Sequence, residues 1–342
     1  MIRFRTGRDR ALAGGVLAAL TGAAIGLAGC SSSGGAGAAD KVAIVGFSVL
    51  KPGYDAVEKA FQATPAGKGV SFSASYGASG SQSKAVASGQ PADYVGLSLE
   101  PDMSNLVPRF VDPSWNAGPT KGIGTTSVVA IVVRPGNPLH ITGWEDLIKP
   151  GVQIVTPDPA TSGSAKWNIL AAYTHKLQTG GTDADAKAYL AAFFKHVVSK
   201  PASGADATTA FLQGTGNVLI SYENEAIAAK QAGKQLDYVV PSDTFKIENP
   251  VAVTTNASGA AKKFLAYVQS DAGQRVLATE GFRPLNPADV PPTVKGANDP
   301  SDPYPAIGKL ETIADLGGWT KVNTEFFDPD NGIVSQIEKA NG

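Results

Sequence analysis

The sequence predicts an α/β protein with parallel sheets in two halves, joined by two chain crossings around a hinged ligand cleft. Three observations predict it. Short apolar runs alternate with stretches of helical spacing, the pattern of strand–helix–strand units. Three of these units pass from strand to helix through loops of small residues, at 76–82, 156–165 and 201–209. Two β-rich stretches, Thr126 to Val133 and Asn249 to Val253, stand where the chain would leave the first half and return to it.

The bulk numbers fit this plan. With 342 residues, 43% hydrophobic and 17% charged, the chain can bury the cores of two domains. A formal charge of −1 gives no footprint for nucleic acid. The one cysteine, Cys30, excludes an intramolecular disulfide and a cysteine-based metal site. His140, His175 and His196 are scattered and are read as surface or internally satisfied residues. No metal or cofactor is expected.

The N-terminus has the form of an export signal. Arg3, Arg5, Arg8 and Arg10 precede an apolar stretch from Ala11 to Leu27. Leu27-Ala28-Gly29-Cys30 then resembles a bacterial lipobox, which implies cleavage before Cys30 and a lipid on its sulfur. Residues 1–29 are therefore expected to be a lipoprotein signal peptide, and 30–39 a flexible Ser/Gly/Ala tether. Cleavage removes four arginines and Asp9 from the 29 basic and 30 acidic residues, leaving a mature charge of about −4. The expected location is the outer face of the cell membrane, held through Cys30. No later stretch is long and apolar enough to span a bilayer.

The mature chain divides by the same logic into 40–124 with 251–342 as one α/β domain, and 125–250 as the other. Val42 to Phe47 is a buried strand, Ser48 to Gly53 a loop, and Tyr54 to Ala63 a helix by its apolar face. Val70 to Ala74 and Ala92 to Leu99 are strands, with a helix from Ser81 to Ser88 between them. Thr142-Gly143-Trp144-Glu145 has the spacing of a capping box before a short helix. Val152 to Val155 is a short strand, and helices are expected at Ala165 to Leu177, Thr182 to His196 and Ala207 to Gln213. Strands at Asn217 to Ser221 and Leu236 to Val240 flank a helix beginning at Tyr222-Glu223-Asn224-Glu225. Helices at Ala257 to Gln269, Asp271 to Thr279, Trp319 to Phe326 and Gly332 to Lys339 close the chain, around an irregular segment from Pro287 to Pro305.

The helix starts are the candidate chemistry. A first helical turn presents N–H groups with no partner in the helix, and the helix dipole adds positive potential there. Several such ends aimed at one point make an anion site. Enzymatic motifs are missing. Gly77-Ala78-Ser79-Gly80-Ser81 lacks the final glycine of a nucleophile elbow, and there is no Walker loop or His-Glu-x-x-His. A secreted hydrolase using Ser79 or Ser162 would need a base that no motif supplies.

The motifs also carry a resemblance. Val155-Thr156-Pro157-Asp158-Pro159-Ala160-Thr161-Ser162-Gly163-Ser164-Ala165-Lys166-Trp167-Asn168 resembles the Thr-Pro-Asn-Pro-Lys-Thr-Ser-Gly-Gly signature of sulfate/thiosulfate-binding proteins of ABC importers. Tyr76 to Gln82, Arg134 to Val152, Leu219 to Ala226 and Gly317-Gly318-Trp319 are similar to further segments of that family. The resemblance implies a type II periplasmic-binding-protein fold and a monomer that passes sulfate or thiosulfate to membrane-embedded ABC permease subunits. It implies ligands at Ser48, Ser79, Ser162, Gly163, Ser164 and Ala205, with Tyr222 where the family has a tryptophan donor. Asp206 stands where the family has an arginine. Sulfate at neutral pH only accepts hydrogen bonds, so Asp158, Asp206 and Glu223 are expected to point outward or to cap helix starts. Molybdate or phosphate is the alternative ligand.

Overall fold

The computed structural model describes residues 40–341. The expected signal peptide and the whole expected tether, Cys30 included, lie outside the described residues. β1 (Lys41–Phe47) runs through a 3-10 turn, Ser48–Leu50, into α1 (Lys51–Gln62). β2 (Ser71–Gly77), α2 (Ser79–Ala87), β3 (Tyr94–Gly96) and α3 (Glu100–Ser104) follow. β4 (Ile123–Val133) leads to a 3-10 turn, Trp144–Ile148, and then to β5 (Ile154–Val155). Next come α4 (Gly163–Gln178), α5 (Asp183–Lys195), β6 (Val197–Ser199) and α6 (Gly204–Leu212). β7 (Val218–Tyr222), α7 (Glu223–Gln231), β8 (Asp237–Val239) and β9 (Asp243–Val253) complete the sheet's long path. The chain ends with α8 (Gly259–Val268), α9 (Asp271–Thr279), β10 (Lys309–Glu311), α10 (Trp319–Phe326) and α11 (Ile333–Asn341).

The strands join in the order β2-β1-β3-β9-β4-β7-β5-β6, with β10 beside β9 and β8 beside β4. The expectation of parallel sheets is corrected here, because the sheet is mixed. β1 pairs in parallel with β2 and β3, and β5 in parallel with β6 and β7. β9 runs antiparallel to β3 and β4, and β4 antiparallel to β7. The antiparallel pairs all involve β4 or β9, two strands that pass each other in opposite directions. Each is 11 residues long. β9 gives its end, Val251–Val253, to β3 and its middle to β4; β4 gives its end, Val129–Val133, to β7.

Three further expectations are corrected. Ser48 to Gly53 is helical rather than a loop. Pro52 sits in the first turn of α1, where its missing N–H would have had no partner in the helix anyway. The capping carboxylate near Thr142 is Asp146, not Glu145. Asp146 Oδ2 accepts the Thr142 N–H and hydroxyl at 2.6 and 2.8 Å, while Glu145 turns to His175. The return strand starts at Asp243, six residues before the expected Asn249. There Phe245 and Ile247 go to the core while Lys246 and Glu248 pair with each other at 2.7 Å, so alternating charge hid the strand.

The largest apolar cluster runs through both halves and includes Phe47, Tyr54, Trp144, Trp167, Tyr222, Phe245 and Phe264. α10 and α11 do not return to the first strands alone: α11 packs on α5 and β10 on α4.

Candidate functional site

Each helix start takes its place because small residues let backbones approach. α2 opens at Ser79, with Ala78 before it in an extended conformation. Ser162 precedes α4 as its N-cap by position but makes no side-chain capping bond. At α6 the Ser203 hydroxyl accepts the Asp206 N–H, capping a helix that begins at Gly204. The first-turn N–H groups of all three helices have no partner within their own helix.

A chain of close contacts brings the seven expected residues together. The Ala205 N–H reaches the Ser48 hydroxyl at 3.4 Å. A methyl group on Gly204 would lie 3.1 Å from Ser164 Oγ, so the starts of α4 and α6 lie side by side. A methyl group on Gly163 would meet Ser98 Cβ and Oγ at 2.7 Å. The Ser98 N–H donates to Ser79 Oγ at 2.9 Å, and Ser98 Oγ lies 2.8 Å from the Tyr222 hydroxyl. Ser164 faces the same hydroxyl. Gly80 N–H donates to Thr161 O at 3.3 Å, closing the loop before α4 onto the start of α2. Ser79, Ser162, Ser164 and Tyr222 are all buried.

Neutral donors share the site with two carboxylates, Asp102 and Glu225. Burial raises the Tyr222 pKa far above its ordinary value, so its hydroxyl is neutral at every physiological pH and can donate. The Ser79 hydroxyl donates to Asp102 Oδ2 at 2.5 Å, so its one proton is engaged and its backbone N–H is the donor left for a ligand. Burial raises the Asp102 pKa; the Ser79 hydroxyl and, at longer range, Lys166 and Lys84 oppose that rise. Glu225 is the second carboxylate. Its Oε2 accepts the Ser221 hydroxyl at 2.6 Å, its Oε1 the Thr208 hydroxyl at 3.2 Å, and burial pushes its pKa up to about 6.

The three carboxylates expected to avoid the site divide in two ways. Asp158 Oδ1 accepts the Ala160 N–H at 2.9 Å, and Asp206 Oδ2 accepts the Ser203 hydroxyl at 2.7 Å, so both serve their own loops. Glu223 neither points outward nor caps a helix start. It is buried against Arg283, which bonds both of its oxygens at 2.6 and 3.0 Å. Two of the three histidines are occupied elsewhere. His175 lies between Asp243 and Glu145 at 2.6 and 2.9 Å, and His196 bonds the Val152 carbonyl.

Ser98 was missed by sequence reasoning. Its carbonyl accepts the Trp167 indole N–H at 3.1 Å and the Asn249 amide at 3.0 Å, so residues of three separate stretches meet on it. The signal was available: Leu97-Ser98-Leu99-Glu100 is a fourth passage from strand to helix, but its apolar flanks make it look like strand interior.

A family model described as bacterial extracellular solute-binding protein matches residues 43–283. The chain belongs to that family. A sulfate-binding protein of Synechococcus elongatus is 40% identical to this solute-binding protein, over 91% of this chain and 90% of its own. A thiosulfate-binding protein of Pseudomonas aeruginosa is 32% identical over 92% and 97%. Among solved structures, the sulfate-binding protein SubI from Mycobacterium tuberculosis superposes with a TM-score of 0.79 at 46% identity, covering 84% of this chain and all of that one. The fold is that of the type II periplasmic binding proteins.

Proposed function

We propose that this protein captures sulfate or thiosulfate and delivers it to the permease subunits of an ABC importer. One observation supports the reading: pairwise contacts through Ser98, Ser164 and Ser48 link the starts of α2, α4 and α6, with the Tyr222 hydroxyl beside Ser98. The ligands would be the N–H groups of Ser48, Ser79, Gly163, Ser164 and Ala205, with the hydroxyls of Ser162 and Tyr222. Each charge-assisted bond contributes roughly 1.5–3 kcal/mol, so this set supports micromolar binding, about −8 kcal/mol, after the cost of dehydrating a dianion. The names of the relatives support the choice of ligand.

In this reading the two lobes are 40–124 with 251–342, and 125–250, and they close on the ion by bending at β4 and β9. The chain is a binding protein rather than an enzyme, works as a monomer, and is exported and anchored through a lipid on Cys30.

Calorimetry tests it directly. Sulfate, thiosulfate, molybdate and phosphate are titrated separately at pH 7 and pH 8.5. Tight sulfate binding with little pH dependence is expected, and Ser162→Ala is expected to weaken it without any turnover. A second reading, hydrogen phosphate, draws on Asp102, whose carboxylate beside Ser79 would accept the proton that phosphate carries. Phosphate binding with sulfate silent would favour it.

A further inference from the structure

Glu225 lies among the proposed ligands. A methyl group on Gly204 would stand 3.3 Å from Glu225 Oε2 and 3.1 Å from Ser164 Oγ, so both side chains approach the same point at the start of α6. A cavity of ≈ 290 Å³ makes the same connection independently. Ser48 and Ala205, whose N–H groups are proposed ligands, share its wall with Glu225. Val49, Leu212 and Phe282 make much of that wall apolar, and the exposed residues Pro52, Thr209 and Lys234 open it to solvent.

Neutral hydroxyls alone hold the carboxylate, Ser221 on Oε2 at 2.6 Å and Thr208 on Oε1 at 3.2 Å. Among the described residues Glu225 forms no ion pair. The charged groups around it are committed elsewhere. On α7, Glu223 bonds Arg283 and Lys230 pairs with Asp237 at 3.5 Å. On α6, Asp206 accepts the Ser203 hydroxyl, and at the start of α1 Lys51 pairs with Asp55. Glu280 and Lys234 line the same cavity without bonding Glu225. An ionised Glu225 would therefore set a negative charge, with no cation on it, beside donors meant for a dianion. Like charges in a partly desolvated site repel strongly, and a proton on the carboxyl removes the repulsion. A protonated carboxyl keeps both neighbours, because a serine or threonine hydroxyl can turn to accept as well as donate.

We propose that Glu225 is a proton-carrying member of the anion site, which takes a proton from solvent through this cavity when an oxyanion dianion binds and returns it when the ion leaves. The inference rests on the function proposed above. Burial already pushes the Glu225 pKa up to about 6, and a dianion beside it pushes the same way. Because the bound state holds the proton more tightly, affinity is greatest below pH 6, falls as pH rises, and levels off above the pKa of the bound state. A rise of about one unit on binding gives a fall of about 3–10-fold between pH 5.5 and 7.5, and less than about twofold from pH 7 to 8.5.

The test counts protons. Full-length protein solubilised in detergent is titrated with sulfate at pH 6.5 in two buffers of different ionisation enthalpy, neither an oxyanion of sulfur or phosphorus. The difference in heat gives the protons taken up, and about half a proton per sulfate is expected. Glu225→Gln should abolish the uptake, and at pH 7.5 it should bind sulfate as tightly as wild type does at pH 5.5. Thr208→Val removes a donor that favours the charged form, so it should move the fall in affinity to higher pH; this keeps the test decisive if Glu225→Gln folds poorly. Sulfate binding without proton uptake, or uptake that persists in Glu225→Gln, would overturn the proposal and leave the function standing. Wild-type protein silent to sulfate at every pH would overturn the function, and this proposal with it.

Discussion

Gly163→Ala places one methyl group where the start of α4 meets Ser98. That methyl would lie 2.7 Å from Ser98 Cβ and Oγ and 2.8 Å from Leu99 Cγ. All three distances are below ordinary van der Waals contact, and neither backbone is free to yield. Gly163 itself has a conformation that alanine accepts, and alanine favours helix over glycine. In the two-lobe reading, the substitution would leave each lobe intact and obstruct only their approach. Overpacking of this kind costs about 1–3 kcal/mol. If the contact forms on closure, that cost falls on the ligand-bound state, and the sulfate Kd rises by about 5- to 150-fold. The assay pairs calorimetric titration with thermal melting of the ligand-free protein. Weak binding with a ligand-free Tm within about 2 °C of wild type is expected. A Tm that falls as far as affinity does would refute the reasoning, because the contact would then belong to the ligand-free fold. Unchanged affinity would show that Ser98 yields without cost.

Other perturbations act on separate parts of the structure. Tyr222→Phe removes the hydroxyl shared with Ser98 and should cost about 1–2 kcal/mol of sulfate binding, read by calorimetry, with little change in Tm. Arg283→Ala strands Glu223 as a buried carboxylate without its partner and should destabilise the fold by about 3–5 kcal/mol in urea unfolding; Glu223→Gln in the same background should restore part of it. Glu225 carries a pKa raised to about 6, so the folded state holds its proton more tightly than the unfolded one. Its contribution to stability therefore declines as pH rises from about 4.5 to 6 and is level above that. Glu225→Gln should flatten the pH dependence of Tm in that window and leave the variant relatively more stable above pH 6, by at most about 2 kcal/mol.

The parts legible in the sequence are those that depend on local pattern. α9 and α10 fall on the expected residues because a periodic apolar face and a capping position are both visible. The loops before α2, α4 and α6 announce helix starts through their small residues. What stayed hidden depends on partners far along the chain. β10 and β6 are three residues each and exist only because neighbouring strands pair with them. The antiparallel course of β9 is set by where the chain must return, which no residue of β9 encodes. Nothing local marks Asp102, because its bond to Ser79 spans 23 positions. Glu223 looked like a solvated helix-start carboxylate until Arg283, 60 positions later, came to lie on it.

The course of the chain after α9 has a mechanical consequence. After α9 the chain runs through 291–303, where Val294 and Ala297 are buried and 298–302 is exposed, then pairs β10 with β9 and lays α11 on α5. Lys309 bonds the Gln178 carbonyl, and Lys200 pairs with Glu338, so this tail is fastened to the end of α4 and to the residue after β6. In the two-lobe reading, β4 and β9 alone would define a bending axis and leave the angle free. A third span, anchored away from that axis, would act as a check strap that goes taut and sets how wide the lobes can swing. Proteolytic cutting within the exposed 298–302 stretch should then widen the ligand-free molecule in small-angle scattering while leaving it in one piece.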